Sequence, residues 1–351
     1  MHNFLAPDLA HILNKTEHLF EELRGARVFI TGGTGFFGCW LLESFAWAND
    51  ELGLQAEAVV LTRDPQAFHR KAPHLASHKA IRLLQGDVRD FDFPEGPFSY
   101  FVHASAESNL KLIADSPLLL LTTHVDGARR VFDFAVKCAA KGVLFTSSGV
   151  VYGKPPSDLS RIPEDYTGSP TGINFEPAKA ANSGGIWCAE LFGALYAAEH
   201  RLPVKFARCF TLMGPYLPLS KPFAVTSFLR DALAGGPINI GGDGTACRSY
   251  LYAADLVIWL WTILIKGKTG HSYNVGSEEG VTIAELAREV AKTIAPGAEV
   301  RLGRVPKAGQ QAERYVPSTQ KAQKELGLQQ WISLPEAIKR TASWHRSEMK
   351  K

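Results

Sequence analysis

The run "ARVFITGGTGFFG", Ala26 to Gly38, constrains the fold of this chain more than any other segment. "RVFIT" is short, apolar and rich in β-favouring residues, so it reads as a buried parallel strand; "FFGCWLLESFAWANDELG" reads as the helix after it. Glycines between a strand and a helix have a definite physical use. Gly32 permits a tight turn, Gly35 lets the backbone approach a pyrophosphate, and Gly38 lets helix and strand pack closely. The helix then opens with unpaired N–H groups and the positive end of its dipole facing the anion. Phe36 and Phe37 stand at the same junction and are expected beside the cofactor. A dinucleotide cofactor follows from this segment.

The rest of the first two hundred residues repeats the alternation. "AEAVVLTRD", "AIRLLQGDVRD", "FSYFVHASA", "KGVLFTSSGVVYG" and "LPVKFARCF" read as strands, with helical stretches between most of them. Short apolar strands separated by helices form a parallel sheet covered on both faces, and right-handed crossovers make it doubly wound. The expected fold class is therefore α/β, a Rossmann-type doubly wound parallel sheet with a smaller, interleaved C-terminal lobe. An amphipathic helix occupies residues 1–24, the dinucleotide-binding unit 25–210, and a substrate lobe most of 211–351. In that lobe "INIGGDGTACRSYLY" reads as hairpin-like.

Composition excludes several function classes. A formal net charge of +3 in 351 residues, with no basic stripe, gives no footprint for nucleic acid. Five scattered cysteines without a C-x-x-C argue for reduced thiols and against a zinc site, so no metal is expected. The first residues lack the apolar core of a signal peptide. "LVIWLWTILI" is about half a membrane span and reads as a buried helix, so neither a membrane nor an export route is expected and the cytoplasm is the default.

The end of the second strand, "VVLTRD", bears on cofactor choice. A site built for NAD tends to place a carboxylate at the strand end; here Thr62 and Arg63 precede Asp64, and an arginine suits the 2′-phosphate of NADP. NADP is slightly preferred, with NAD left open. "GDVRD" sets Asp87 and Val88 at the adenine, and Ala104 of "VHASA" joins the cofactor set.

With "TGGTGFFG", "GDVRD", "VHASA", "FTSSGVVYG", "FARCFTLMGPYLP", "GGDGTACRSYLYAADL" and "ERYVPSTQKAQKELG", the chain resembles the extended short-chain dehydrogenase/reductases. These are the nucleotide-sugar epimerases and dehydratases, and the resemblance runs from about Arg24 to Trp344. It implies a nucleoside-diphosphate sugar held between the lobes and a nicotinamide that takes hydride from a sugar carbon. It implies nucleotide contacts from Arg208, Gly214, Pro215, Arg248 and Arg314, whose guanidinium forks would clamp a pyrophosphate. It places Ser148 at the sugar hydroxyl under attack. Where the 4,6-dehydratases follow that residue with Asp-Glu, this chain has Gly149 and Val150, neither of which moves a proton.

The family's Tyr-x-x-x-Lys pair is missing. Counting back from Glu190, the tyrosine and lysine places hold Asn182 and Ile186, and none of the nine tyrosines has a lysine four residues later. A positioned acid–base group is worth on the order of 10²–10⁴ in rate. Asn182 or Ser183 can serve as an N-cap, so the helix is expected to start late, at Ser183. Tyr216 is the best replacement in the sequence, with Lys179, His103, Glu176 and Cys188 as weaker ones. Two readings stay open: an NAD(P)-dependent oxidoreductase with a non-standard acid–base arrangement, and a catalytically silent binder of cofactor or nucleotide sugar. The resemblance also implies a homodimer, for which Trp187, Leu191, Phe192 and Leu195 supply an apolar stripe, or equally a core face.

Overall fold

In the computed structural model, which describes residues 3–105, 115–156, 158–168, 176–306 and 312–349, seven strands form one parallel sheet. They are β1 (Arg27–Thr31), β2 (Glu57–Thr62), β3 (Ile81–Gln85), β4 (Tyr100–His103), β5 (Gly142–Ser148), β6 (Val204–Cys209) and the strand Ser272–Val275. The order across the sheet is Ser272–Val275, β6, β5, β4, β1, β2, β3. The chain reverses direction across the sheet between β1 and β4, where Thr31 lies opposite His103. In sheets of this kind the crevice at that switch point, beyond the carboxyl ends of the strands, receives the ligand.

Alternation along β1 explains the layering. Phe29 faces one core and its neighbours Val28 and Ile30 the other, as period-two side chains must. The Ile30 side is covered by α1 (Ala6–Phe20), α2 (Phe36–Leu52) and the helix Ala253–Lys266. That last helix carries the "LVIWLWTILI" run, and Leu256 through Leu264 are all buried. Beyond β2 come the short helices α3 (Pro65–Lys71) and α4 (Pro73–Ala76). The Phe29 side is covered by α5 (Pro117–Lys137) and α6 (Pro177–His200), which pack on each other and on Phe101 and Phe145 of the sheet. Among the described residues no helix is long and apolar enough to cross a membrane.

The second half of the chain shares the sheet: Ser272–Val275 pairs with β6, and Ala253–Lys266 packs against β5 and β6. Elsewhere the lobe combines helices with strands of two or three residues. The hairpin reading of "INIGGDGTACRSYLY" is corrected, because its strands do not pair with one another. Ile238–Ile240 pairs with Val300–Leu302, Leu251–Tyr252 with Leu212–Met213, and Cys247–Arg248 lies between Val281–Thr282 and Arg314–Tyr315. The late start of α6 is corrected as well: the helix begins at Pro177, and Asn182 lies inside it. Ser183 is used not as a cap but inside the helix, its Oγ donating to the Lys179 carbonyl at 2.9 Å.

Candidate functional site

The glycine loop between β1 and α2 leaves no room for side chains. Gly32 has a φ of +70°, and a Cβ there would fall 2.2 Å from the Ala104 carbonyl oxygen. A Cβ on Gly33 would meet Val60 of β2 at 2.5 Å. Gly38 was expected to pack on a strand; instead it packs on the loop itself, with a Cβ position 2.3 Å from the backbone of Gly33. Gly35 differs from these. It is exposed at the N-cap of α2 without a side chain to cap it, so the first N–H groups of the helix point outward for an anion. Phe36 and Phe37 are half-buried in its first turn, and Lys71 of α3 donates to the Thr34 carbonyl at 2.7 Å, bracing the loop. This cradle fits the pyrophosphate of a dinucleotide.

Beyond β2, Thr62 is buried and Arg63 exposed. The Asp64 carboxylate accepts from the Ala67 N–H at 2.9 Å and so caps α3, which engages the one acid close to the strand end. Asp87 is half-buried; hydrogen bonds from Arg89 hold its carboxyl below the usual carboxylate range, and the Arg63 charge adds to this. Val88 turns inward onto Gly127 of α5, which leaves its backbone rather than its side chain at the surface. Ala106, the last residue of "VHASA", lies outside the described residues.

At the carboxyl edge a buried polar cluster joins β1, β4, α5 and α6. A hydrogen bond of 2.6 Å links His103 Nδ1 and Thr31 Oγ1. Asn182 Oδ1 accepts from His124 Nε2 at 3.2 Å, and Gly185 is what admits this imidazole, since a Cβ there would touch it at 3.1 Å. Burial drives the His103 ring down to about 3, helped by His124, whose own value burial also lowers. Both rings are neutral at pH 7. Ile186 is buried in the core beside Ala189 and Phe206. Asn182 is thus engaged by a hydrogen-bond partner and Ile186 by packing.

Ser148 ends β5 half-buried, and its Oγ accepts from the Val150 N–H at 3.3 Å. From the C-terminal lobe the Tyr315 hydroxyl comes in beside Gly149, the residue after Ser148, where a Cβ would fall 2.5 Å from it. Parallel pairing sets Tyr315 opposite Arg248 and Arg314 opposite Cys247, so Arg248 and Arg314 come together on one small sheet next to Ser148. Arg248 Nη2 is 2.7 Å from Glu313 Oε1, and Arg314 Nε donates to the Ser160 carbonyl at 2.7 Å. Nearby in the same lobe, a cleft of about 310 Å³ is lined by Phe223, Ser227, Asn239, Gly242 and Ile283.

Three expected ligand residues, and the expected replacement acid–base residue, are engaged within the fold. Arg208 grips Glu190 of α6 through Nε and Nη2, at 3.0 and 2.6 Å, and donates to the Tyr152 hydroxyl at 3.0 Å. The Arg208 guanidinium is thus held in a largely buried ion pair. Gly214 (φ +152°) closes on Ala253, and the Pro215 carbonyl accepts from the Trp40 indole at 2.9 Å; both are buried on the α2 side of the sheet. Tyr216 belongs to that same core, opposite the face carrying α5 and α6. Its hydroxyl donates to Glu43 of α2, and burial beside that carboxylate pushes it far above the ordinary tyrosine range, so it is not the missing acid–base residue. Lys179 and Glu176 pair with each other in solvent at 2.8 Å. Lys71, His124 and Tyr315 carry no local mark in the sequence; each acquires its place only when distant segments meet.

Residues 28–276 match the model of the NAD dependent epimerase/dehydratase family, and the chain belongs to that family. UDP-glucuronic acid decarboxylase 1 of Xenopus tropicalis is 25% identical over 323 residues, which cover 92% of this chain and 73% of that protein. UDP-glucuronic acid decarboxylase 6 of Arabidopsis thaliana is 26% identical over 312 residues, 89% of this chain and 86% of that one. Among solved structures, the dTDP-glucose 4,6-dehydratase DesIV of Streptomyces venezuelae, with NAD and TYD bound, shares the fold with a TM-score of 0.76 at 24% identity, over 92% of this chain and 98% of its own. An epimerase from Methanothermobacter thermautotrophicus also superposes with a TM-score of 0.76, at 22% identity, covering 96% and 97% of the two chains.

Proposed function

We propose that the chain is a nicotinamide-dinucleotide-dependent oxidoreductase acting on a sugar carried by a nucleoside diphosphate, and that it works without the helix-borne Tyr/Lys pair. The observation that carries this reading is the glycine loop, where Gly32, Gly33 and Gly38 each exclude a Cβ and Gly35 opens α2 outward. Gly32, Gly35, Phe36, Phe37, Gly38 and Ala104 would hold the dinucleotide, with Asp87 and the backbone at Val88 near its adenine. NADP is favoured over NAD, because Arg63 stands at the end of β2 while Asp64 is spent on capping α3. When bound, the nicotinamide supplies hydride transfer. This chain's residues do the rest. Arg248 and Arg314 neutralise the diphosphate, the cleft beside Phe223 takes the nucleobase, and Ser148 hydrogen-bonds the reacting sugar hydroxyl. The five free cysteines suit a reducing, cytoplasmic setting.

A homodimer is part of the reading. Trp187, Leu191 and Leu195 recur every four residues along α6 and are 43%, 46% and 45% exposed, and Leu118 of α5 is 73% exposed. Phe192 does not join them, because it packs inward. Such a stripe on two adjacent helices suits pairing with its own copy.

The test is incubation with NADP⁺ or NAD⁺ and UDP-glucuronic acid, UDP-glucose or dTDP-glucose, reading nicotinamide absorbance and product mass. A new sugar nucleotide is expected; no product and no absorbance change with any of them overturns the proposal. The silent-binder reading draws on one observation, the engagement of Asn182 by the His124 bond and of Ile186 by the core. Turnover at an ordinary enzymatic rate excludes it.

A further inference from the structure

Tyr315 approaches the carboxyl end of β5, where Ser148 and Gly149 stand, from the C-terminal lobe. The strand Arg314–Tyr315 runs parallel to Cys247–Arg248 and holds the phenol in place. The Tyr315 ring lies on Phe210 with centroids 4.6 Å apart, and the Arg248 guanidinium carbon is 5.7 Å from its centroid. Its hydroxyl sits against Gly149, next to Ser148 in the chain, where a Cβ would fall 2.5 Å from the phenolic oxygen. Gly149 is therefore the residue that admits this hydroxyl. The absence of an acid after Ser148 and the presence of a phenol beside Ser148 are one steric fact.

The other titratable groups of the site are committed elsewhere. His103 and His124 are bonded to Thr31 and Asn182 and kept neutral by burial. Lys179 is paired in solvent, and Tyr216 is on the far side of the sheet. The Tyr315 phenol reaches Gly149 beside Ser148, and Ser148 stands at the carboxyl edge of β5, two strands from the glycine loop after β1.

We propose that Tyr315 is the catalytic acid–base residue of this site, exchanging a proton with the sugar hydroxyl in concert with Ser148. The proposal rests on the nucleotide-sugar oxidoreductase reading above. In the oxidising direction the carbinol O–H and C–H bonds break and the C=O bond forms. The proton passes to the Tyr315 oxygen, and the hydrogen leaves carbon with both electrons, so that carbon is oxidised and a nicotinamide dinucleotide reduced. In the reverse direction Tyr315 returns the proton to the carbonyl oxygen. Burial raises the Tyr315 hydroxyl, with Cys209 and Tyr152 pushing the same way; the Ser148 hydroxyl and the Arg248 charge oppose them. At neutral pH the free protein thus holds Tyr315 protonated, ready to donate, and oxidation should accelerate as pH rises.

The test uses the full chain with tyrosine labelled at ¹³Cζ. The Tyr315 resonance, assigned by its loss in Tyr315→Phe, should shift on Ser148→Ala and again on addition of NADP⁺ or NAD⁺, whose positive nicotinamide favours the phenolate. With UDP-glucuronic acid, UDP-glucose or dTDP-glucose, Tyr315→Phe should cut turnover by roughly 10²–10⁴ while UDP and dinucleotide binding persist. Gly149→Ala, which displaces the hydroxyl and keeps the phenol, should cut turnover too. A resonance indifferent to Ser148 and to the dinucleotide, or wild-type turnover in Tyr315→Phe, overturns the proposal with the functional reading intact. A wild-type chain that binds neither UDP nor a dinucleotide overturns the functional reading and this proposal with it.

Discussion

Acid should destabilise this protein through one histidine in particular. His103 is 2% exposed at the carboxyl end of β4, bonded to Thr31, and burial holds its ring down to about 3. In the unfolded chain the same ring titrates near the ordinary histidine value of 6.5. A group whose folded value is depressed contributes its stability fully above the unfolded value and loses it as pH falls toward the folded one. The window therefore runs from 6.5 down to about 3. Each pH unit in that window costs about 1.4 kcal/mol per histidine, so about 2 kcal/mol is lost by pH 5 from His103 alone. His124, shifted in the same direction, adds to the wild-type slope. His103→Gln removes the titration and keeps an amide within reach of Thr31. Urea unfolding of both proteins at pH 7.5, 6 and 5 gives the result as a difference of slopes, which is insensitive to a constant loss in the variant. The variant should lose about 2 kcal/mol less than wild type between pH 7.5 and 5. Parallel stability–pH lines would refute a buried, neutral His103.

Three other outcomes follow from the same coordinates. Gly38→Ala places a methyl 2.3 Å from the Gly33 backbone, which cannot rotate away, so dinucleotide affinity measured by calorimetry should fall with the melting temperature. Glu190→Ala strands the Arg208 guanidinium in the interior, and should cost about 3–5 kcal/mol in urea unfolding. A loss within error of zero would return Arg208 to the list of nucleotide ligands. Leu191→Glu places a charge in the exposed stripe of α6, and light scattering should report monomer where wild type is a dimer; a wild type that is already monomeric refutes the pairing.

The sheet was legible because its signals are local: a strand of alternating burial and a glycine loop leading into a helix declare themselves within a dozen residues. What escaped were features built from meetings of distant segments. Arg208 was read toward phosphate because a guanidinium fork suits phosphate and carboxylate alike, and nothing in "FARCF" reveals that Glu190 faces it from α6. "NSGG" offers N-cap residues and so predicts a late helix start. Its meaning lies in α5, where the His124 ring fills the space a Cβ on Gly185 would take. Tyr315 belongs to a strand of two residues, too short for any periodicity. The hairpin reading failed for a related reason: parallel partners such as Ile238–Ile240 and Val300–Leu302 are joined through some sixty residues of chain, and no turn signal marks them.

The central claim is that this scaffold binds a dinucleotide and a nucleoside diphosphate at once. Calorimetric titration of the purified chain with NADP⁺ and NAD⁺, each with and without UDP, tests it most directly. Saturable binding of one dinucleotide per chain, tighter for NADP⁺ and compatible with bound UDP, is the predicted result. Absence of binding by either dinucleotide, or exclusion of the dinucleotide by UDP, would contradict it.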